Sequence, residues 1–171
     1  YCQNKVICVN VSTGVFMSTS RLIFDDISRV GEWVADQMPD GASPWHEYYA
    51  MGAEANGDLV SGIVFENMNG YNANVHIAVS KPTKLFLELL DHAFIYAFET
   101  CGLRRLTGLV EADHIKALHL ALHIGFRIEA VMKGAGSSGQ DLLILVLWPE
   151  NYRKGKRIWE NNESAPQTTL H

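Results

Sequence analysis

Few side chains in this sequence stand where a proton could be moved at a strand end. His76 lies in the β-prone run Asn74-Val75-His76-Ile77-Ala78-Val79. It alternates with Val75 and Ile77, so it faces away from them, either into a cleft or into a hydrogen-bonded structural niche. Glu66 and Glu111 fall near the ends of two other strand candidates, where burial can tune a carboxylate toward general-base work. The turn after Val79 reads Ser80-Lys81-Pro82-Thr83-Lys84 and opens a helix-like run. Free N–H groups and two lysines there can meet an anion, although lysine charge opposes the helix dipole at that end. Lys116, His119 and His123 recur at helical spacing opposite Ile115, Leu118 and Leu122, which reads as the solvated face of a helix or as a source of an acid. No Ser-His-Asp order, nucleotide-binding P-loop or metal-ligand cluster stands out.

The elements that must position these groups follow from hydrophobic period. Arg21 to Phe24 is a short strand candidate, and Asp25 or Asp26 caps a helix whose Ile27, Val30, Val34 and Met38 make one apolar face. The segment 39–44 is a Pro- and Gly-containing loop. Two strands flank the hairpin signal Asn56-Gly57-Asp58, a second turn follows at Asn69-Gly70-Tyr71-Asn72, and Asn74 to Val79 completes an antiparallel meander. Ser80 is the expected N-cap of a long helix, apolar on nearly all sides, that runs to Gly102, with Pro82 in its first turn. Then come a strand over Arg104 to Val110, a helix over Ile115 to Ile124 stopped by Gly125-Phe126, a strand over Arg127 to Met132, a Gly- and Ser-rich turn, and a buried strand over Leu142 to Leu147. This order predicts an α/β domain with a mixed, mostly antiparallel sheet of six or seven strands and helices on both faces. Ligands in such sheets sit where adjacent strands diverge, here the ends of Asn74-Val79 and Arg104-Glu111, where both helices begin.

At 171 residues and 47% hydrophobic content the chain is long and apolar enough for one domain with its own core. The expected division is an arm or edge strand over 1–16, a domain over 17–150 and a polar tail over 151–171; Met17 marks an alternative start. A net charge of −5 argues against general affinity for nucleic acid or anionic lipid. Three cysteines without ligand or pairing spacing read as reduced thiols. With no signal core and no apolar run of membrane length, the expectation is a cytoplasmic protein.

From about Arg21 to Trp148 the sequence resembles the GNAT superfamily of N-acetyltransferases: a helix ending in Ala-Phe and then Gly, a strand beginning Leu103-Arg104-Arg105, and a helix ending in Gly125-Phe126. The resemblance implies a splayed-strand cleft holding acetyl-CoA. Ile77, Ala78 and Val79 would offer backbone groups to its pantetheine arm, Ser80, Lys81, Thr83 and Lys84 would lie at the pyrophosphate, and His114, Lys116 and Ala117 at the second helix start. It further implies direct attack of a small-molecule or protein amine on the thioester, with His76, Glu66 or Glu111 as the base. The sequence departs from the family pattern in three places. No glycine occurs between Gly70 and Gly102, His114 stands where the family has Asn, and Ala121 where it commonly has an acid-acting Tyr.

VHIA without a Gly loop, Gly108-Leu109-Val110-Glu111-Ala112-Asp113-His114, and Gly139-Gln140-Asp141-Leu142-Leu143 look closest to GNAT-like proteins of tailed bacteriophages. That likeness implies an alternative, a catalytically silent structural or regulatory protein of the phage virion, with a virion protein or a second copy as partner.

Overall fold

The computed structural model describes residues 19–38 and 45–152; the expected arm over 1–16, the loop at 39–44 and the tail beyond Tyr152 lie outside the described residues. Asp26 caps the first helix, its carboxylate accepting from the Arg29 N–H, and α1 (Ile27–Asp36) turns Val30 and Val34 into the core. β1 (Ser20–Ile23) precedes it. β2 (Tyr48–Ala55) and β3 (Asp58–Glu66) are joined by Asn56 at φ 54° and Gly57 at φ 90°. Two successive left-handed residues are what a two-residue turn needs to match strand twist. β4 spans Asn72–Val79.

The second helix starts later than the sequence suggests. Thr83, not Ser80, is the N-cap, accepting from the Phe86 N–H, and α2 covers Lys84–Ile95. Ser80 Oγ instead bonds the Val60 carbonyl on β3. Pro82 explains the shift, because proline disfavours helical geometry in the residue before it. α2 ends in a π-helical turn, Tyr96–Thr100, before Gly102. β5 (Arg105–Glu111), α3 (Ile115–Ile124), β6 (Arg127–Met132) and β7 (Leu142–Leu147) follow.

The seven strands form one sheet in the order β1-β2-β3-β4-β5-β7-β6, antiparallel throughout except for β4 beside β5. One face, with Val75, Leu106, Leu145 and Leu147, packs under α2 and α3 in the larger core cluster. On the other face α1 covers Ala50, Val64 and Ala78. No described helix is long and apolar enough to cross a membrane.

The inner face of α3 also differs from the expectation. Ile115 is 52% and Leu122 39% exposed, whereas Ile124 is fully buried and Leu120 and Ala121 pack inward. The helix is turned so that Leu118, Leu120, Ala121 and Ile124 face the core. Gly125 closes it at φ 124°, a conformation that L side chains avoid, and a Cβ there would run into the Asn151 carbonyl.

Candidate active site

β4 and β5 are paired only at Asn72–Arg105, Ala73–Leu106 and Asn74–Thr107. Beyond those residues the two strands separate, so 75–79 and 108–111 face each other without a ladder. Each strand keeps its outer partner, β3 for β4 and β7 for β5. The inner edges therefore carry backbone donors and acceptors with no strand to satisfy them. Between them opens a cavity of about 450 Å³. Its floor is apolar, with Val75, Ile124, Phe126 and Leu145, and Gly108 stands where the strands part. A Cβ at Gly108 would come no nearer than 3.7 Å to Phe126 and 4.0 Å to the Val75 carbonyl oxygen, ordinary contacts, so the glycine is not there to relieve a clash.

His76, Ile77, Ala78, Val79, Glu111, His114, Lys116 and Ala117 all line this cavity. Ser80, Lys81, Thr83 and Lys84 do not. The N–H groups of Ser80 and Lys81 both donate to the Val60 carbonyl, at 2.9 and 3.4 Å, and Thr83 caps Phe86. At the start of α2 this leaves the N–H groups of Lys84 and Leu85 unpartnered among the described residues.

Glu66 lies outside the cavity wall, yet it reaches His76. The His76 Nε2 stands 3.0 Å from the Glu66 Oε1, and the imidazole rests against Trp45 with ring centroids 4.7 Å apart. Trp45 is itself held by its indole N–H to the Gly31 carbonyl. An ionised carboxylate offers only lone pairs, so in the neutral imidazole the tautomer that bonds Glu66 carries its proton on Nε2 and leaves Nδ1 as an acceptor. The sequence carried a signal for this pair. In the antiparallel β3–β4 hairpin Glu66 opposes Asn74, which places His76 on the same face one diagonal step away.

Glu111 is differently placed. Its carboxylate accepts from the Ser137 N–H at 2.8 Å, and that bond, with help from the Ser137 and Gln140 side chains, holds it below the ordinary carboxylate value against opposing desolvation. A lowered carboxylate is a weak base. Glu111 therefore tethers the Gly-rich β6–β7 turn to the cavity mouth. Gln37 and Met38 from the end of α1, and Leu109, Leu120 and Leu142, also line the cavity. Composition gave no sign of them, since only strand separation makes them neighbours.

No family model matches the chain, and no curated protein matches it by sequence. Solved structures do. The chain is similar to the spermidine N-acetyltransferase of Vibrio cholerae in complex with CoA and spermine, at 15% identity over 79% of this chain and 97% of that one, with a TM-score of 0.60. It is similar to an acetyltransferase of the GNAT family from Streptococcus pneumoniae, at 16% identity over 76% and 99% of the two chains, TM-score 0.58. Mycobacterium smegmatis RimJ in complex with CoA-disulfide matches at 16% identity and TM-score 0.55, over 68% of this chain. The match spans 60% of the RimJ chain. The mixed seven-stranded sheet is that of the GNAT fold.

Proposed function

We propose that this chain is an acyl-CoA-dependent N-acyltransferase that carries acetyl from acetyl-CoA to an amine, by direct attack within a ternary complex. The observation that carries the reading is the end of β4–β5 pairing at Asn74 and Thr107, which opens a cavity between two unpaired backbone edges. That arrangement fits a pantetheine arm, an extended chain of amides that can pair with both edges above an apolar floor. The solved structures of the same fold with CoA bound support the same cofactor.

Bound acetyl-CoA would supply the activated acyl carbon and a thiolate leaving group. The protein's contribution is assigned as follows. Ile77, Ala78 and Val79 would hold the arm through their inner backbone edge, where an N–H is available to the thioester carbonyl. Lys81, Lys84 and the open N–H groups of α2 would attract the phosphates from outside the cavity, and His114, Lys116 and Ala117 border it at α3. His76 takes a proton from the acceptor amine at Nδ1, while Glu66 fixes its tautomer and stabilises the imidazolium. With Ala121 facing the cavity, His114 and Lys116 are the proton-bearing side chains on the α3 side.

One observation favours the second reading, a GNAT-fold protein without chemistry that serves a virion or other assembly. Ser80 and Lys81 spend their N–H groups on Val60 instead of presenting them to an anion. Calorimetric titration with acetyl-CoA separates the two. Saturable one-site binding supports the enzyme; no heat and no thermal shift at millimolar acetyl-CoA overturns it in favour of the silent protein.

A further inference from the structure

Beside the cavity, half of one sheet face has no helix over it among the described residues. α1 packs on β2, β3 and β4, and no described helix covers the same face of β5, β7 and β6. Alternation places Leu109 on this face, because Leu106 and Val110 point into the opposite core. Directly opposed residues of a sheet share a face. Leu109 therefore stands beside Ile144 and Ala130, and Glu111 beside Leu142 and Met132. Leu109 is 51% and Met132 36% exposed, and Ala130 is exposed as well. Five apolar side chains thus form a platform that begins inside the cavity, where Leu109 and Leu142 are part of the wall, and ends at the edge strand β6. It spans two strand spacings, on the order of 10 Å, about the length of an octyl chain.

Two ion pairs and two further hydrogen-bonded carboxylates lie around this platform. Glu66 bonds His76, Glu111 the Ser137 N–H, Glu129 both terminal nitrogens of Arg105, and Asp141 the Lys133 ammonium. A polyamine carries protonated nitrogens along its length, and an apolar platform gives those nitrogens no partner. Apolar surface contiguous with a cavity is suited to a tail that leaves water.

We infer that the acceptor is a primary amine on an apolar tail of about eight carbons, its nitrogen at His76 and its tail along Leu109, Ile144 and Met132 on the open sheet face. This rests on the acyltransferase reading and specifies the substrate class of that site.

Steady-state acetylation of n-butylamine, n-hexylamine and n-octylamine, with spermine as the polycationic probe, tests it on the full chain. On a half-open surface KM should fall roughly twofold per added methylene. Spermine should require at least tenfold more than octylamine. The Ile144→Ser and Met132→Ser variants should flatten the chain-length series, and Met132→Ser, at an exposed edge position, keeps the test usable if Ile144→Ser does not fold. A KM independent of chain length, turnover of spermine in preference to octylamine, or an unaltered series in folded Met132→Ser overturns the inference. So does CoA binding without turnover of any alkylamine. Failure of the wild type to bind CoA is a different result, and it removes the acyltransferase reading itself.

Discussion

Gly108 offers a substitution that should separate cofactor binding from folding. Its Cβ would sit 3.7 Å from Phe126, 3.9 Å from Leu145 and 4.0 Å from the Val75 carbonyl oxygen, ordinary contacts that require nothing to move. Replacing a strand-interior glycine with valine recovers roughly 0.5–1 kcal/mol of backbone entropy and strand preference. The two added methyls can crowd Phe126 and Leu145, at a cost of roughly 1–3 kcal/mol if they enter the core. The net change in stability should therefore stay within about 2 kcal/mol. The same methyls occupy the apex where β4 and β5 part, beside the open carbonyl of Val75. Gly108→Val should weaken CoA binding at least tenfold, about 1.4 kcal/mol, with Gly108→Ala intermediate. Calorimetric Kd and the denaturation midpoint, measured on the same preparations, give both numbers. A folded Gly108→Val protein that binds CoA like the wild type would refute the placement of the cofactor arm.

Three further outcomes follow from other contacts. His76→Gln should lower acyl transfer by about 10²–10⁴-fold at saturating acetyl-CoA without altering the CoA Kd, and Glu66→Gln should act in the same direction through the ring; equal turnover in His76→Gln removes His76 as the base. Gly125→Ala should cost roughly 1–3 kcal/mol in chemical denaturation, because alanine resists φ 124° and its Cβ collides with the Asn151 carbonyl; an unchanged midpoint contradicts that packing. Arg29 and then Arg21 hold the Glu54 carboxyl below its ordinary value of 4.5, as Arg105 does for Glu129 and Lys133 for Asp141. Groups lowered in the folded state add stability that is complete above about pH 5 and is lost as pH falls through their folded values. Urea midpoints should drop below pH 4.5, less steeply in Glu54→Gln, and a flat profile would count against these pairs.

What could be read in the sequence was local. Asn56-Gly57, the Asp26 cap and the Val30–Val34 face each depend on a few neighbouring residues, and each element formed where expected. Helix α3 shows the limit of that reading. Counting apolar residues puts Ile115, Leu118 and Leu122 inward; Leu118 does pack on the core, but Ile115 and Leu122 are exposed, because α3 borders a cavity that Ala117, Leu120 and Ala121 line. Periodicity detects apolar stripes and is blind to empty space. The Thr83 cap was legible in principle, since Pro82 bars Lys81 from helical geometry. The insertion of β7 between β5 and β6, which builds the open platform from Leu109 to Met132, depends on long-range pairing that no local pattern encodes.

The central claim is that the unpaired inner edges of β4 and β5 receive an extended cofactor arm. Amide hydrogen exchange with and without acetyl-CoA tests it most directly. Exchange should slow at residues 75–79 and 108–111, with β1 and β2 unchanged. Exchange at those two edges that does not respond to saturating acetyl-CoA, or protection that appears only elsewhere, would contradict it.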